Sequence, residues 1–522
     1  MDSPTTEKHD ITHIEFIGSD PALAEVVVQT YKQSAWTWSL IKLYLILSVS
    51  FLCSALNGYD GSLMGAINAM TEYQKYFGMT QAGSSTGIVF AIYNLGCLPA
   101  VILVGPIIDR YGRRSGMFIG SFLVIVATCL QAPSVSKGMF MGGRFILGTG
   151  VAFCATSAPT YVSELAHPEF RGTQLGLYNT MWYVGSIIAS WVAYATAFLP
   201  DNRAWRVPLW CQMITSGIVC TFVWFLPESP RWLVAHNRHE EAAKILGKYH
   251  GEGDIHHPLV TMQMKEMETQ IRSSTSDTAW WDYRELFSTK SARARLICVA
   301  GMAWFGQYSG NAVVSYFFPF MVSSAGISDP HTQLLLNGLN PVVGWIFSVC
   351  GAWSSDRVGR RPLLLYTLGC AIVIFAVITA CTHYAIVDGN TGASYTAIVF
   401  VYLFSAIFSF GWTPLQAGYI VECLPMETRA KGNALGQLIS NIASAVGSYS
   451  GSAAMGSIGY WYYLVFVFWD MIEWTVIYFF FVETKGRTLE ELNEVFEAAN
   501  PVKKSLEPRS VEDVEHTIGG KI

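Results

Sequence analysis

The stretch Gly105-Pro-Ile-Ile-Asp109-Arg110-Tyr-Gly112-Arg113-Arg114 returns 247 residues later as Ser355-Asp356-Arg357-Val-Gly359-Arg360-Arg361. Two further pairs repeat at nearly that offset. Glu164 with Arg171 is matched 258 residues on by Glu422 with Arg429, and PESPRW at 227–232 is matched 255 residues on by VETKGR at 482–487. Three pairs at one approximate offset describe two homologous halves.

The residues around these repeats are apolar. The 522-residue chain is 52% hydrophobic and 14% charged, against about 25% charged in an ordinary soluble domain. Of its charges, 8 precede residue 40, 20 fall in 227–295 and 15 follow residue 482, which leaves 28 for the other 374 residues. No water-facing surface of that extent is covered so thinly. A soluble enzyme, a nucleic-acid binder and a disordered chain are excluded. The net charge of −5 points to no polyanionic partner. Eleven scattered cysteines form no CxxC and read as small buried apolar residues, with no metal or cofactor expected. The first 39 residues lack a basic region followed by an apolar one, so no cleaved signal peptide is expected.

A bilayer core of about 30 Å needs about 20 apolar residues per helix. Suitable runs lie near 40–64, 84–108, 115–132, 138–162, 173–198 and 207–226, then near 294–321, 332–354, 362–384, 395–421, 432–455 and 460–482. The expectation is an all-α membrane protein of 12 transmembrane helices in two homologous six-helix halves, 40–226 and 294–482. They are flanked by tails 1–39 and 483–522 and separated by a polar segment, 227–293. Lys and Arg divide 28 to 4 in favour of the side holding the termini and that segment, with Arg144 left inside a span. The positive-inside rule then makes both termini and the segment cytoplasmic, and a plasma-membrane location is expected. Within the segment, SPRWLVAHNRHEEAAKILGKYH and LVTMQMKEMETQIRSS carry helical periodicity. Its irregularly spaced His236, His239, His250, His256 and His257 read as a solvated helix face, not a zinc site.

Two halves related by an axis along the membrane normal rock about a midplane site. The positive-inside rule explains Arg at the repeated loops but not the matching acids. Asp109, Arg113, Arg114, Glu164 and Arg171, with their copies Asp356, Arg360, Arg361, Glu422 and Arg429, are therefore expected to form a cytoplasmic gate. Each Glu–Arg pair would span the gap between halves in one state and separate in the other.

In order along the chain, the doubled D-R-x-G-R-R, Gly143-Arg144-Phe-Ile-Leu-Gly148, Tyr161-x-x-Glu164 with Arg171-Gly172, PESPRWL, Gln307-x-Ser309-Gly310 and ETKGRTLEEL at 483–492 resemble the sugar porter family of the major facilitator superfamily. The likeness covers residues from about 40 to 490. Finer features resemble its fungal lactose-permease and cellodextrin-transporter branch. These are Asn57-Gly-Tyr-Asp60-Gly-Ser-Leu-Met64, Tyr178-Asn179-Thr180, Trp280-Trp-Asp-Tyr-Arg-Glu-Leu-Phe287, Phe305-Gly-Gln-Tyr-Ser-Gly-Asn311 and Thr413-Pro-Leu-Gln416. The resemblance implies a proton-coupled symporter importing a small oligosaccharide of the cellobiose or lactose class by alternating access. It implies a monomer in the lipid bilayer whose ligands are sugar and proton, neither an enzyme nor a binder of nucleic acid.

Four charges lie within the expected spans: Asp60, Arg144, Asp470 and Glu473. A carboxylate at such depth costs about 2.5–3.5 kcal/mol on insertion scales, so it reads as functional. Arg144, in the same half, is the natural partner of Asp60, and a carboxylate whose cation comes and goes suits proton coupling. In the family, the residues matching these two separate proton symporters from facilitators. Asp470 and Glu473 share one helix face and are assigned a structural role.

A sugar offers many hydroxyls and no charge, so its site needs amides that donate and accept, with aromatic faces for the ring. Asn179, Gln307, Asn311, Asn337, Asn340, Gln416, Gln437 and Asn441 lie in the expected spans. The resemblance selects Gln307, which matches the second glutamine of Q-Q-x-S-G, together with Asn179, Asn311, Tyr316, Asn340, Trp412, Gln416 and Asn441. The sequence departs from the family where the first glutamine is Gly306, where the asparagine comes one residue early as Asn311, and where Asn179 replaces glutamine. P-x-P-W becomes Pro414-Leu-Gln416-Ala417, losing a tryptophan that Trp412 or Tyr419 would replace. These departures shorten or remove side chains and are expected to enlarge the cavity. The alternatives are a hexose or pentose transporter with a rearranged site, and a sugar sensor of the same fold. Sensors often carry a long tail, and only 40 residues follow residue 482.

Overall fold

The computed structural model describes residues 36–274, 283–327, 329–425, 428–485, 487 and 489–507. Among them there is no strand. The first half contains α1 (Trp38–Ala69), the short α2 (Thr71–Phe77), α3 (Ser84–Tyr111), α4 (Arg113–Gln131), α5 (Lys137–Leu165), α6 (Arg171–Thr196) and α7 (Arg203–Phe222). Short helices α8 (Pro230–Ala235), α9 (His239–Tyr249), α10 (Pro258–Ser274) and α11 (Glu285–Ser288) follow. The second half contains α12 (Lys290–Tyr308), α13 (Asn311–Ser324), α14 (Pro330–Val358), α15 (Arg360–Val387), α16 (Thr391–Gly411), α17 (Leu415–Cys423), α18 (Arg429–Ile458) and α19 (Tyr463–Phe480), before α20 (Leu489–Glu497) and α21 (Pro501–Leu506).

Nine helical stretches among the described residues are long and apolar enough to cross a membrane. The run from Lys431 to Phe480 counts as one of them although it contains both α18 and α19. Two expected spans are absent from the nine. Helix α6 is diluted by Gln174, Asn179, Thr180, Ser186 and Ser190, and the span expected at 294–321 is cut into α12 and α13. Helix starts follow local chemistry. Ser136, Ser229, Thr289 and Asp329 each accept a hydrogen bond from a backbone N–H of the first turn, and Pro230 and Pro330 sit at the first helical position.

The cut after α12 falls at Gly310, which holds φ +85°, ψ −14°, a left-handed conformation open to glycine without strain. A matching break separates α16 from α17 at residues 412–414, where Pro414 cannot donate to the helix ladder. Broken helices inside a bundle expose backbone groups where a polar ligand can use them.

The packing of the first half recurs in the second. Helix α4 packs on α5 and α7, and α3 on α5; likewise α15 packs on α16 and α19, and α14 on α16. The halves meet where α3 lies along α18, α6 along α14, and α1 along α13. At the edge remote from the charged repeats this contact is close. The Gly83 N–H donates to Ser452 Oγ (3.2 Å), which donates back to the Gly83 carbonyl (2.9 Å). A methyl group on Gly65 would stand 3.1 Å from the carbonyls of Ser315 and Tyr316. About midway along α6, Tyr183 donates to Ser409 Oγ (3.0 Å) and lies 3.2 Å from Thr413 Oγ1.

Two expectations change here. His250 is not on a solvated face: it is 1% exposed and bridges Leu165 O (3.1 Å) and the Gln263 carboxamide (2.9 Å). The polar segment needs that anchor because its own apolar cluster is small, centred on Leu233, Val234 and Ala242. Nor are all cysteines buried, since Cys129, Cys350 and Cys370 are exposed on the outer faces of apolar helices, where a small apolar side chain needs no partner.

Candidate functional site

The repeated motifs form two copies of one hydrogen-bonded network. In the first half, Glu164 takes Arg113 in a forked pair (Nε 2.9 Å, Nη2 3.0 Å) and the Ser229 hydroxyl (2.5 Å). In the second, Glu422 takes Arg360 (Nε 3.3 Å, Nη2 3.0 Å) and the Thr484 hydroxyl (2.5 Å). Glu228 accepts from the Arg113 N–H (3.1 Å), as Glu483 accepts from the Arg360 and Arg361 N–H groups (3.0 and 3.1 Å). Each carboxylate thus caps the exposed amides that open α4 or α15. Tyr161 donates to Pro227 O (2.7 Å) and Tyr419 to Val482 O (2.8 Å). Gly112 (φ +93°) and Gly359 (φ +106°) are required beside these caps, because an added methyl would stand 2.3 Å from Glu228 Oε2 or 2.8 Å from Glu483 Oε2. Burial pushes the Glu228 carboxyl above the usual carboxylate range, against the opposing effect of hydrogen bonds from the Ser229 and Arg113 N–H groups and the charge of Arg114.

The pairing differs from the expected one. Glu164 and Glu422 bind Arg113 and Arg360 within their own halves. Among the described residues neither pairs with the arginine seven positions on, Arg171 or Arg429. Arg429 donates instead to Leu424 O (3.3 Å). Arg114 donates to Leu226 O (2.8 Å), Arg361 to Tyr478 O (2.6 Å), and exposed Asp109 lies 3.3 Å from Arg113. The side chain of Asp356 lies outside the described residues. Among the described residues no ion pair crosses between halves at this edge.

Asp60 and Arg144 are enclosed in the first half, 1% and 4% exposed. They do not form an ion pair. Asp60 Oδ1 accepts from Gln212 Nε2 of α7, and Asp60 Oδ2 has no partner among the described residues. Arg144 lies over the ring of Tyr93, 4.8 Å from its centroid, and its Nε is unpartnered among the described residues. Tyr59, next to Asp60, donates to Pro208 O (2.8 Å), fixing α1 against α7. Gln212 is the residue that sequence reasoning missed. The rule that selected Asn179 and Gln307, an amide inside an apolar span, would have found it. A buried carboxylate served by one neutral amide, with a guanidinium in the same enclosure but not in contact, can exchange partners and protons.

The amides gather at the two helix breaks. Gln307 and Asn311 flank Gly310; Gln307 is half-buried and its side chain makes no hydrogen bond among the described residues, while Asn311 accepts from Ser315 Oγ (3.3 Å). Gln416 opens α17 and is half-buried. Tyr316 faces Phe90 across the halves with ring centroids 5.2 Å apart. Asn340 Oδ1 is sealed without a partner among the described residues. Asn441 spends a donor on Gln437 O of its own helix (2.9 Å), and Asn179 is exposed on α6. The aromatic substitutes are occupied. Trp412 is 1% exposed and stacks on Phe408 at 6.1 Å; Tyr419 stacks on Phe481 at 5.5 Å and serves the second-half network.

Comparisons with known proteins agree with this architecture. The family described as "Sugar (and other) transporter" matches residues 46–496. The chain is 28% identical over 488 residues to the MFS-type transporter criB of Aspergillus cristatus, covering 92% of this chain and 99% of that one. It is 27% identical over 474 residues to a high-affinity glucose transporter of Kluyveromyces lactis, covering 87% and 85%. The partially occluded inward-open structure of the xylose transporter XylE from E. coli superposes with a TM-score of 0.70 at 22% identity, covering 85% of this chain and 99% of that one.

Proposed function

The chain belongs to the sugar (and other) transporter family, and from that premise we propose that it is a proton-coupled symporter importing a neutral sugar across the plasma membrane by alternating access. The observation that carries this reading is the separation of Asp60 from Arg144 inside one enclosure, with Gln212 holding the carboxylate. What sets this carboxylate apart is a neutral amide holding it beside a guanidinium in the same enclosure, an arrangement that suits a group whose proton comes and goes during the cycle. The duplicated Glu–Arg networks lie on the cytoplasmic side, as do both termini and helices α8–α10, in keeping with the 28-to-4 division of basic residues. With the halves pressed together at Gly83 and Ser452, that edge, remote from the charged networks, is the closed one. The protein works as a monomer.

The motifs shared with lactose and cellodextrin permeases favour a small oligosaccharide. One observation favours a single hexose instead: the side chain of Gln416 occupies the space beside Gly306 that the sequence suggested was vacant. Uptake of labelled glucose, cellobiose and lactose into proteoliposomes, with and without an inward proton gradient, tests both points. Accumulation driven by the gradient is expected. Accumulation indifferent to the gradient overturns the coupling, and no accumulation of any sugar overturns the transporter reading.

A further inference from the structure

One turn before the break after α12, Gly306 lies against Gln416, which follows the break that opens α17. A methyl group built on Gly306 would lie 2.6 Å from Gln416 Nε2 and 3.1 Å from its Cδ. The carboxamide of Gln416 therefore rests on the bare backbone of Gly306, and any side chain at position 306 must displace it. Gln416 is only half-buried, makes no side-chain hydrogen bond among the described residues, and none of its polar atoms is sealed away. An amide that rests against a glycine backbone and keeps its polar atoms unsealed is disposed to meet a ligand hydroxyl, giving one hydrogen bond and accepting another.

Resting on the sugar-transport reading, we propose that Gln416 is a sugar-hydroxyl ligand delivered across Gly306, so that positions 306 and 416 form one reciprocal specificity pair. One amide serves this level of the site, entering from α17 and not from α12. Only one of the two positions can carry it, because a side chain on residue 306 would enter the space that the Gln416 carboxamide fills. Neighbouring Gln307 and Asn311 supply the remaining amides from the other break. The short α17 carries Gln416 in its first turn and Glu422 in its last, about 9 Å along the axis. A sugar held by Gln416 thus bears on the same rigid element that Arg360 and Thr484 hold at its far end.

The test uses the full chain in proteoliposomes, with labelled glucose and cellobiose and a competition panel of xylose, lactose and maltose. Gln416→Ala is expected to raise the half-saturation concentration of the transported sugar at least tenfold while the maximal rate stays within threefold. Gly306→Gln alone is expected to lose at least nine-tenths of uptake, because two side chains then compete for one space. The double variant Gly306→Gln/Gln416→Ala is expected to recover to within threefold of wild type with an altered competition order. Should Gly306→Gln elute as aggregate in size exclusion, Gly306→Ala with and without Gln416→Ala gives the same comparison. Half-saturation within twofold of wild type in Gln416→Ala for every sugar overturns the proposal, as does a double variant no better than the single one. Wild-type protein that moves none of these sugars overturns the transporter reading itself, a result distinct from active wild type with an indifferent Gln416.

Discussion

Gln212 and Asp60 are joined side chain to side chain across α7 and α1, while Arg144, the cation in the same enclosure, is not in contact with the carboxylate. Neutralising the carboxylate alone should uncouple transport. Asp60→Asn is expected to reduce gradient-driven accumulation at least tenfold while sugar exchange between equal pools persists. Gln212→Leu, which leaves the carboxylate without a donor, is expected to lower the accumulation ratio at least threefold. Uptake and counterflow on the same vesicles separate the two effects, and unchanged concentrative uptake in Asp60→Asn refutes the coupling role.

The two glutamate caps predict additive losses. Glu228 and Glu483 each accept hydrogen bonds from backbone amides at a helix start, and bonds to a charged acceptor contribute about 1.5–3 kcal/mol. Glu228→Ala and Glu483→Ala should each lower the melting temperature of the purified protein. The two networks share no partner, so the double variant should lose the sum to within about 0.5 kcal/mol. A double variant no less stable than either single one would show that the networks are not independent.

Histidine chemistry predicts a pH-dependent attachment of helices α8–α10. Burial, followed by neighbouring His250 and His257, lowers the pKa of His167 from 6.5 to about 4, and burial lowers that of His250 as well. The rings lie 5.2 Å apart. His167 is neutral when docked, so the undocked state binds more protons below the ordinary histidine value. Docking is therefore at full strength above about pH 6.5 and is lost progressively as the pH falls toward 4. Hydrogen exchange in residues 239–274 is expected to accelerate between pH 7 and pH 5, and His167→Phe is expected to flatten part of that dependence.

Asp470 and Glu473 predict tolerance. Both are 0% exposed in α19; among the described residues both oxygens of Asp470 lack a partner and Glu473 takes only the Trp469 indole N–H. Neither has a cation partner among the described residues. Asp470→Asn with Glu473→Gln keeps shape and removes any proton exchange, so uptake within twofold of wild type and an unchanged pH profile are expected. A tenfold fall in uptake would show that the pair titrates during the cycle.

Membrane class, the doubled plan and the residues of both charged networks are legible in the sequence, because each rests on local signals. A bilayer demands long apolar helices whatever they pack against, and a duplicated motif carries its own offset. Partnerships are another matter. Glu164 stands seven residues from Arg171 but binds Arg113, and Asp60 passes over Arg144 for Gln212. Helix packing, not spacing along the chain, brings side chains within the 3 Å that a hydrogen bond requires. The space beside Gly306 shows the same division. A missing side chain reads as a cavity until the fold shows that Gln416, 110 positions further along a different broken helix, has filled it.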